Sequence, residues 1–263
     1  SVAYYVGCIG DDDNGKTLKT AAEKEGVTTH YHVDKETSTG TCACLINEKE
    51  RCLIANLAAA NCYKIDHLQS AEMQDVIKST DVFYATGFFL TVCPDALISI
   101  GEHAVANNKP FMWNISAEFL VNFFWEPFQK VLPYADFLFG NETEATAFGK
   151  KNGWDVEDLG EVALKTAAWE KKNDKRSRVV VFTQGKDSTI VCQDGKVTRY
   201  DVPKVDPSTI LDTNGAGDSF VGGFISMLRR GEPIERCVAA GHYCAGKVIQ
   251  VSGASYVGKP DFS

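Results

Sequence analysis

The chain lacks a long apolar run and an excess of basic charge. No hydrophobic stretch reaches the about 18–20 residues of a membrane-spanning helix, and we expect no signal peptide. The net charge is −8, whereas a nucleic-acid surface needs clustered Lys and Arg. The basic cluster of residues 171–178 is interrupted by acids and is predicted to be a solvated loop. We therefore expect no membrane and no nucleic-acid partner.

Paired cysteine motifs are also missing. The nine cysteines form no C-x-x-C pair and no Cys/His ligand spacing. Cys42-x-Cys44 and His30-x-His32 are typical of strand residues rather than metal ligands. An odd number of unpatterned cysteines favours reduced thiols, so we expect a cytoplasmic location, with the nucleus also open.

Strand and helix patterns alternate along most of the 263 residues, which predicts one α/β domain over residues 1–263. The chain begins within an apolar run of strand type and without an initiator Met, from which we expect that an N-terminal portion precedes it. The predicted strands are Val2–Ile9, Asp81–Thr86, Pro110–Ile115, Ala135–Phe139, Val179–Phe182, Ser188–Cys192 and Lys196–Val202. The predicted helices are Thr17–Glu25, Glu72–Ser79, Ala96–Asn107, one opening at Asn141, one within 150–174, and Ile234–Val248.

Residues 212–225 read Asp-Thr-Asn-Gly-Ala-Gly-Asp-Ser-Phe-Val-Gly-Gly-Phe-Ile, a polar, glycine-rich loop that becomes an apolar helix near Asp218. The free N–H groups and the positive dipole of a helix N-terminus favour an anion. Glycine lacks a Cβ, so a phosphate could approach the amides of Gly215, Ala216 and Gly217 closely. One face of the helix is predicted to be apolar: Phe220, Val221, Phe224, Ile225 and Leu228.

Asp218 has two interpretations. A carboxylate beside a phosphate-binding loop could accept the proton of a hydroxyl that attacks the γ-phosphate. It could equally favour the helix dipole and do nothing else, a contribution of about 0.3–1 kcal/mol. Spacing alone does not separate these two roles.

The stretch 212–225 resembles the C-terminal signature of the ribokinase (PfkB) family of carbohydrate and nucleoside kinases. From Val2 to Phe262, the other segments are similar, in order, to the adenosine kinases of that family. The resemblance implies a ribokinase-like three-layer αβα fold with a mostly parallel central sheet and a small β lid that is only partly present. It also implies transfer of phosphate from ATP, with Mg²⁺, to the 5′-hydroxyl of adenosine, giving AMP in purine salvage. A monomer, and a monovalent cation near the anion-binding loop, belong to the same expectation.

Residues 37–57 interrupt the α/β alternation. Two strand patterns, Thr39–Ile46 and Arg51–Ala55, flank the polar turn Asn47–Glu50 and predict a hairpin that could cover a site as a lid. The resemblance implies that it places Cys42, Leu53 and Ala55 against the nucleoside and Arg51 near the transferred phosphate. Taken alone, they could be ordinary strand residues and a surface arginine.

The resemblance assigns the remaining candidates to positions near predicted strand ends, where ligands bind in α/β sheets. Phe88, Asn114 and Phe119 match the nucleoside site, although Phe88 could also be a core residue. Asn141 and Glu144 form an Asn-x-x-Glu motif that would organise Mg²⁺ through its hydration shell, with Glu144 as the metal candidate. The nucleotide candidates are Thr183, Gly185, Asp212, Asn214 and His242, of which His242 could also be a core histidine.

Three other functions stay open at this point. Residues 10–17 match the Walker A pattern G-x-x-x-x-G-K-T, which would make Lys16 a phosphate ligand, but Asp11, Asp12 and Asp13 would repel a polyphosphate. Another sugar or nucleoside kinase of the same family is the second. A catalytically incomplete nucleotide-binding protein is the third, should the polypeptide truly start at Ser1.

Overall fold

The computed structural model describes residues 2–47, 50–253, 255–256, 258 and 260–262. Their contacts divide the chain into two compact units, Ser1–Asp81 with Phe89–Ile100, and Val82–Phe88 with Gly101–Ser263. None of the helices in the described part of the chain is long and apolar enough to cross a membrane.

The strands are β1 (Ala3–Gly10), β2 (Val27–Asp34), β3 (Thr41–Asn47), β4 (Glu50–Asn56), β5 (Phe83–Thr86), β6 (Phe111–Asn114), β7 (Phe137–Asn141), β8 (Val179–Gln184), β9 (Asp187–Gln193) and β10 (Lys196–Tyr200). The helices are α1 (Asp13–Lys24), α2 (Ile65–Gln69), α3 (Ala71–Ser79), α4 (Pro94–Ala106), α5 (Glu118–Phe123), α6 (Trp125–Val131), α7 (Glu142–Lys151), α8 (Leu159–Ala167), α9 (Ala216–Leu228) and α10 (Ile234–Val248). Short 3-10 helices cover Ala58–Cys62, Gly87–Thr91, Leu132–Tyr134 and Pro207–Thr209.

The first unit contains two small sheets. β1 and β2 pair in parallel and are joined by α1, since parallel strands need a crossover connection. β3 and β4 form the predicted antiparallel hairpin, with Cys42 opposite Ala55 and Cys44 opposite Leu53. The predicted turn includes residues 48 and 49, which lie outside the described residues.

β1 differs from its prediction as a buried parallel strand. Only Ile9 and Gly10 are buried, and the Tyr5 side chain is 54% exposed. In the described part of the chain β1 pairs with β2 alone, so its other edge and much of its surface face solvent. The apolar composition identified the strand correctly, and most of its residues are exposed or half-buried within the described part of the chain.

The second unit is built on a six-stranded sheet in the order β10-β9-β8-β7-β6-β5. β5, β6, β7 and β8 are parallel, while β9 and β10 return antiparallel as a hairpin. Parallel strands bring their carboxyl ends to one edge of the sheet. The ends of β5, β6, β7 and β8 therefore lie together.

Helices cover both faces of this sheet, which confirms the α/β class with its mostly parallel sheet. On one face, Phe139 and Val181 pack in a buried cluster with Phe220 and Phe224 of α9 and Val238 of α10. On the other face, the Trp113 ring lies 4.6 Å from Phe128 of α6, and Phe128 lies 5.7 Å from Phe148 of α7. Each strand thus presents alternate side chains to two helical layers.

The predicted solvated loop at residues 171–178 is wrong at its two ends. Arg178 is 1% exposed, and its guanidinium donates to five backbone carbonyl oxygens. The Lys171 ammonium lies 2.6 Å from the buried Asp136 carboxylate. A guanidinium can be buried when every N–H has an acceptor, so Arg178 is a structural residue that ties together the loops around it.

Candidate active site

The N-terminus of α9 is open. Its N-cap, Gly215, has φ 75° and ψ 3°, a left-handed conformation that glycine adopts without strain. Glycine has no side chain, so the N-cap residue makes no side-chain hydrogen bond to the helix, and Asp218 lies in the first turn. A Cβ on Gly217 would meet nothing within 4 Å in the described part of the chain. The Ala216 N–H makes only a long hydrogen bond, 3.3 Å, to the Thr213 carbonyl, and the open space at Gly217 leaves room for an anion at the start of α9.

The Asp212 carboxylate holds the loop before α9 in place. It is 6% exposed, and it accepts from the Asn214 N–H at 2.8 Å and from the Gly253 N–H at 3.0 Å. The backbone of Leu211 also donates to the Ile249 carbonyl at 2.9 Å. The loop that presents Gly215 is thus fixed from both sides.

A cavity of about 200 Å³ lies beside this helix N-terminus. Its lining contains seven of the predicted site residues: Phe88, Asn114, Asn141, Glu144, Thr183, Gly217 and Asp218. The lining also contains six residues that the sequence did not single out for the site: Thr86, Ser116, Phe139, Gly140, Phe220 and Val221. The ends of β5 to β8 and the start of α9 therefore converge on one space within the second unit.

Asn141 and Glu144 form a capping box at the start of α7. The Asn141 side chain accepts from the Glu144 N–H at 2.9 Å, and the Glu144 carboxylate accepts from the Asn141 N–H at 3.0 Å. Burial raises the pKa of Glu144 to about 7, helped by the charges of Glu142 and Asp218 and opposed by hydrogen bonds from the backbone of Asn141 and Ser116. Among the described residues, no group of three or more His, Cys, Asp or Glu side chains could hold a metal ion.

Aromatic rings lie near the ends of β5 and β6. The Phe88 and Phe119 ring centroids are 6.2 Å apart, and their side chains are 51% and 39% exposed. The Asn114 amide donates to the Tyr84 hydroxyl at 3.4 Å, and burial raises the pKa of Tyr84 to about 12. A half-exposed aromatic pair can stack on a flat ligand.

Other predicted nucleotide residues lie outside the cavity lining. Gly185 occupies the turn after β8 with φ 56°. His242 is 8% exposed, its Nε2 lies 2.8 Å from the Thr189 hydroxyl, and burial lowers its pKa. This geometry is that of a core histidine satisfied by one partner. Phe119, Asp212, Asn214, Gly215 and Ala216 also lie outside the lining, although Gly215 and Ala216 directly precede Gly217.

The remaining candidates belong to the hairpin of the first unit. Cys42 and Ala55 face each other across it and are exposed, and Leu53 is 60% exposed. Arg51 pairs with Ile46 in the β3–β4 ladder, and its side chain lies outside the described part of the chain.

The Walker-like segment forms a different structure from the one its letters suggest. α1 begins at Asp13, four residues before the predicted start, because the Asp12 carboxylate caps it by accepting from the Gly15 N–H at 2.8 Å. The same carboxylate accepts from the Thr39 N–H at 2.8 Å and hydroxyl at 2.6 Å. The Gly15 N–H, one of the loop amides that a phosphate would need, is thus already taken by a protein carboxylate.

Ser116 is the residue that sequence reasoning missed most clearly. It lines the cavity with φ 68°, in a conformation that few residues other than glycine adopt. Ser116 directly follows a predicted strand, and ligands bind at strand ends, so its position was a weak signal of a site residue. Its left-handed backbone could not be predicted, because no local sequence pattern encodes it.

The comparisons with known proteins agree with this fold. The model of the pfkB family of carbohydrate kinases matches residues 1–261, and the chain belongs to that family. It is 49% identical over 251 residues to an adenosine kinase of Dictyostelium discoideum, covering 95% of this chain and 74% of that protein. The chain is therefore a phosphotransferase that acts on an alcohol group.

Solved structures give the same result. An Anopheles gambiae adenosine kinase in complex with P1,P4-di(adenosine-5) tetraphosphate has a TM-score of 0.95 and 38% identity, covering 99% of this chain and 77% of that one. A Schistosoma mansoni adenosine kinase in complex with 2-fluoroadenosine has a TM-score of 0.93 and 31% identity, covering 97% and 75%. The ribokinase-like fold expected from the sequence is confirmed.

Proposed function

We infer that this protein is an adenosine kinase that transfers the γ-phosphoryl group of ATP to the 5′-hydroxyl of adenosine, giving AMP and ADP. The observation that carries the inference is the cavity in which an open helix N-terminus, the Asp218 carboxylate and the Asn141–Glu144 pair converge. Relatives and structural neighbours that are adenosine kinases support the choice of substrate. Among the functions left open by the sequence, adenosine phosphorylation gives a role to the predicted site residues that line this cavity.

We propose that Asp218 is the general base. The 5′-oxygen attacks the γ-phosphorus while Asp218 takes the hydroxyl proton, the bond to the β-phosphate oxygen breaks, and ADP leaves. The amides of Gly215, Ala216 and Gly217 would bind the negative charge of the transferred group, because the open start of α9 supplies donors and a positive dipole.

Mg²⁺ fits the acidic side of the cavity. Mg²⁺ prefers oxygen ligands and keeps several waters, so a hydrated ion needs only the Glu144 carboxylate and the Asn141 amide oxygen nearby. When bound, it would offset the charge of the phosphates, and its field would favour the ionised form of Glu144. Arg51 is proposed, from the family resemblance, to assist there.

The nucleoside is proposed to bind against the aromatic pair. Phe88 and Phe119 are close and partly exposed, which suits stacking with a purine, and Asn114 adds a polar group at the cavity wall. On the resemblance alone, we propose that residues 37–57 act as a lid with Cys42, Leu53 and Ala55 toward the nucleoside.

ATP is proposed to bind near the end of β8. Thr183 lines the cavity, and Gly185 follows in the adjacent turn. Asp212 and Asn214 would act by shaping the loop before α9, where a monovalent cation is also proposed. His242 stays a prediction from the resemblance, as do a monomeric state and a cytoplasmic location.

Asp218→Asn tests the function. We expect adenosine-dependent ATP consumption to fall by ~10²–10⁴ while ATP binding is kept, because the amide cannot take the proton. Asp13→Asn is the matched control, an aspartate in the first turn of α1 with a fully exposed side chain, and it should leave the rate unchanged. Full activity of Asp218→Asn would contradict the assigned base, and turnover with ribose but not adenosine would contradict the assigned substrate.

A further inference from the structure

Ser116 has an unusual backbone for its residue type. Four described residues other than glycine have positive φ: Ala58, Asn108, Ser116 and Asp194. Asn and Asp tolerate this conformation through local hydrogen bonds, whereas serine does so less readily. Of the four, Ser116 alone lines the cavity. A strained residue persists where its surroundings hold it, and such residues concentrate at functional sites.

The contacts of Ser116 explain what holds it. Its hydroxyl accepts from the Gly87 N–H at 2.9 Å and donates to the Asn114 carbonyl at 3.2 Å. Its own N–H donates to the Asn114 side-chain oxygen at 3.0 Å, and the amide of Asn114 continues to the Tyr84 hydroxyl. The left-handed turn therefore links the end of β5 to the end of β6 through one hydroxyl.

The junction that this hydroxyl closes is tight. A Cβ on Gly87 would lie 2.2 Å from the Ile115 carbonyl oxygen, so the two backbones are in direct contact at that point. Phe88 follows Gly87 and Phe119 follows Ser116 by three residues, and their rings lie 6.2 Å apart. A shift of Gly87 relative to Ser116 would therefore change the separation of the two rings.

We propose that Ser116 is a positioning residue for the nucleoside, whose hydroxyl locks the β5 and β6 ends so that Phe88 and Phe119 keep a fixed separation. This inference rests on the proposed adenosine kinase function and adds to it a residue that sets affinity for the base. It assigns no proton transfer to Ser116, because both hydrogen-bonding directions of the hydroxyl already serve the backbone.

Two substitutions distinguish the effect of losing the Ser116 hydroxyl from the effect of the strained backbone conformation. Ser116→Ala removes the hydroxyl and keeps a residue with a Cβ at positive φ. Ser116→Gly also removes the hydroxyl but adopts that φ freely, so it folds even where the alanine variant does not. Ser226→Ala is the control, because the Ser226 hydroxyl donates to the Gly223 carbonyl at 2.8 Å within α9 and lies outside the cavity lining.

We expect both Ser116 variants to raise the KM for adenosine, and its Kd measured by calorimetry, by about tenfold, because both lose the two partly buried hydrogen bonds of the hydroxyl. The KM for ATP and kcat should stay within about twofold, since both variants keep the backbone N–H of residue 116, which hydrogen-bonds the Glu144 carboxylate on the phosphate side of the cavity. Ser226→Ala should alter none of these. A residue needed only for folding would lower the melting temperature and the active fraction without separating the two KM values.

Three results would overturn the proposal: unchanged adenosine KM in both variants, a parent-like KM in Ser116→Gly alone, or equal losses in both KM values. The second would mean that the backbone conformation suffices without the hydroxyl. A parent protein without adenosine turnover would instead contradict the proposed function itself, so the two failures are distinguishable.

Discussion

Two loops of this chain look alike in sequence and differ in what their carboxylates do. Residues 10–16 and 212–218 each combine aspartates with glycines before a helix. In the first loop, the Asp12 carboxylate caps α1 and accepts a hydrogen bond from Thr39. A side chain of the protein therefore occupies the start of this helix. At the second, Asp212 turns back to its own loop and Gly253, and α9 starts without a side-chain cap among the described residues.

The electrostatics of the two regions differ in the same way. Hydrogen bonds from Thr39 and Gly15 lower the pKa of Asp12, so its charge is stabilised by neighbours. Burial raises the pKa of Glu144 to about 7 in the cavity beside α9, so its charge is not fully compensated there. A carboxylate satisfied by the protein serves structure, whereas an uncompensated one in a cavity is a functional-site candidate.

The largest expected difference between the two loops comes from replacing one glycine in each by alanine and comparing stability and kinetics. Gly217→Ala adds a methyl group where nothing lies within 4 Å, so we expect a stability gain of up to about 1 kcal/mol. If this open space holds the transferred phosphate, as proposed, the methyl group would intrude on it and kcat/KM should fall by roughly 10². Gly15→Ala should do the reverse, because its Cβ would lie 2.5 Å from the Gly10 carbonyl oxygen. That clash should destabilise the fold by roughly 1–3 kcal/mol and leave the kcat of folded enzyme near the parent value.

Thermal melting and steady-state kinetics on both variants check this pair. Parent-like kinetics in Gly217→Ala would show that the start of α9 does not bind phosphate. A large loss of kcat in folded Gly15→Ala would show that the first loop takes part in the reaction.

The second prediction concerns the uncompensated carboxylate. With a folded-state pKa of about 7 against an ordinary 4.5, Glu144 holds a proton in the folded protein that the unfolded chain has released. Stability from this group is therefore lost as pH rises from about 4.5 to 7. Glu144→Gln removes the charge but keeps an oxygen that can accept from Asn141, so it should stabilise the protein by about 2 kcal/mol at pH 8 and little at pH 4.5.

Denaturant unfolding across pH measures that difference, and Glu142→Gln on the same helix turn is the control. We expect Glu144→Gln to lose activity in parallel, since the carboxylate proposed to serve Mg²⁺ is gone. Equal stability of parent and variant at pH 8 would mean that burial does not raise the pKa of Glu144 as described.

These contrasts also show what the sequence could and could not predict. α10 has the bounds that were predicted, and Phe220, Val221 and Phe224 are buried on one face of α9 as expected, because helical periodicity is written locally. The strand ends that carry Phe88, Asn114 and Asn141 also followed from local patterns. Their convergence followed from the parallel sheet.

The features that the sequence did not predict depend on contacts between residues that are far apart along the chain. α1 begins earlier than predicted because Asp12 caps it through the Gly15 N–H, and Thr39, 27 residues away, also holds the Asp12 carboxylate. Arg178 is buried because carbonyls from several loops meet it, and Ser116 is left-handed because Gly87 requires its hydroxyl. No spacing within a local segment encodes such contacts.

The smallest expected effect is the one that tests the Walker-like motif directly. Lys16 would bind phosphate in a P-loop, but here its ammonium lies 3.3 Å from the Asp13 carboxylate with the side chain 71% exposed. Lys16→Ala should leave the KM for ATP within about twofold of the parent, because an exposed ion pair contributes little. Lys19→Ala, on the same helix and paired with Glu23, is the matched control. Loss of ATP binding in Lys16→Ala alone would mean that the first loop, with Asp12 displaced from Thr39, is the phosphate site after all.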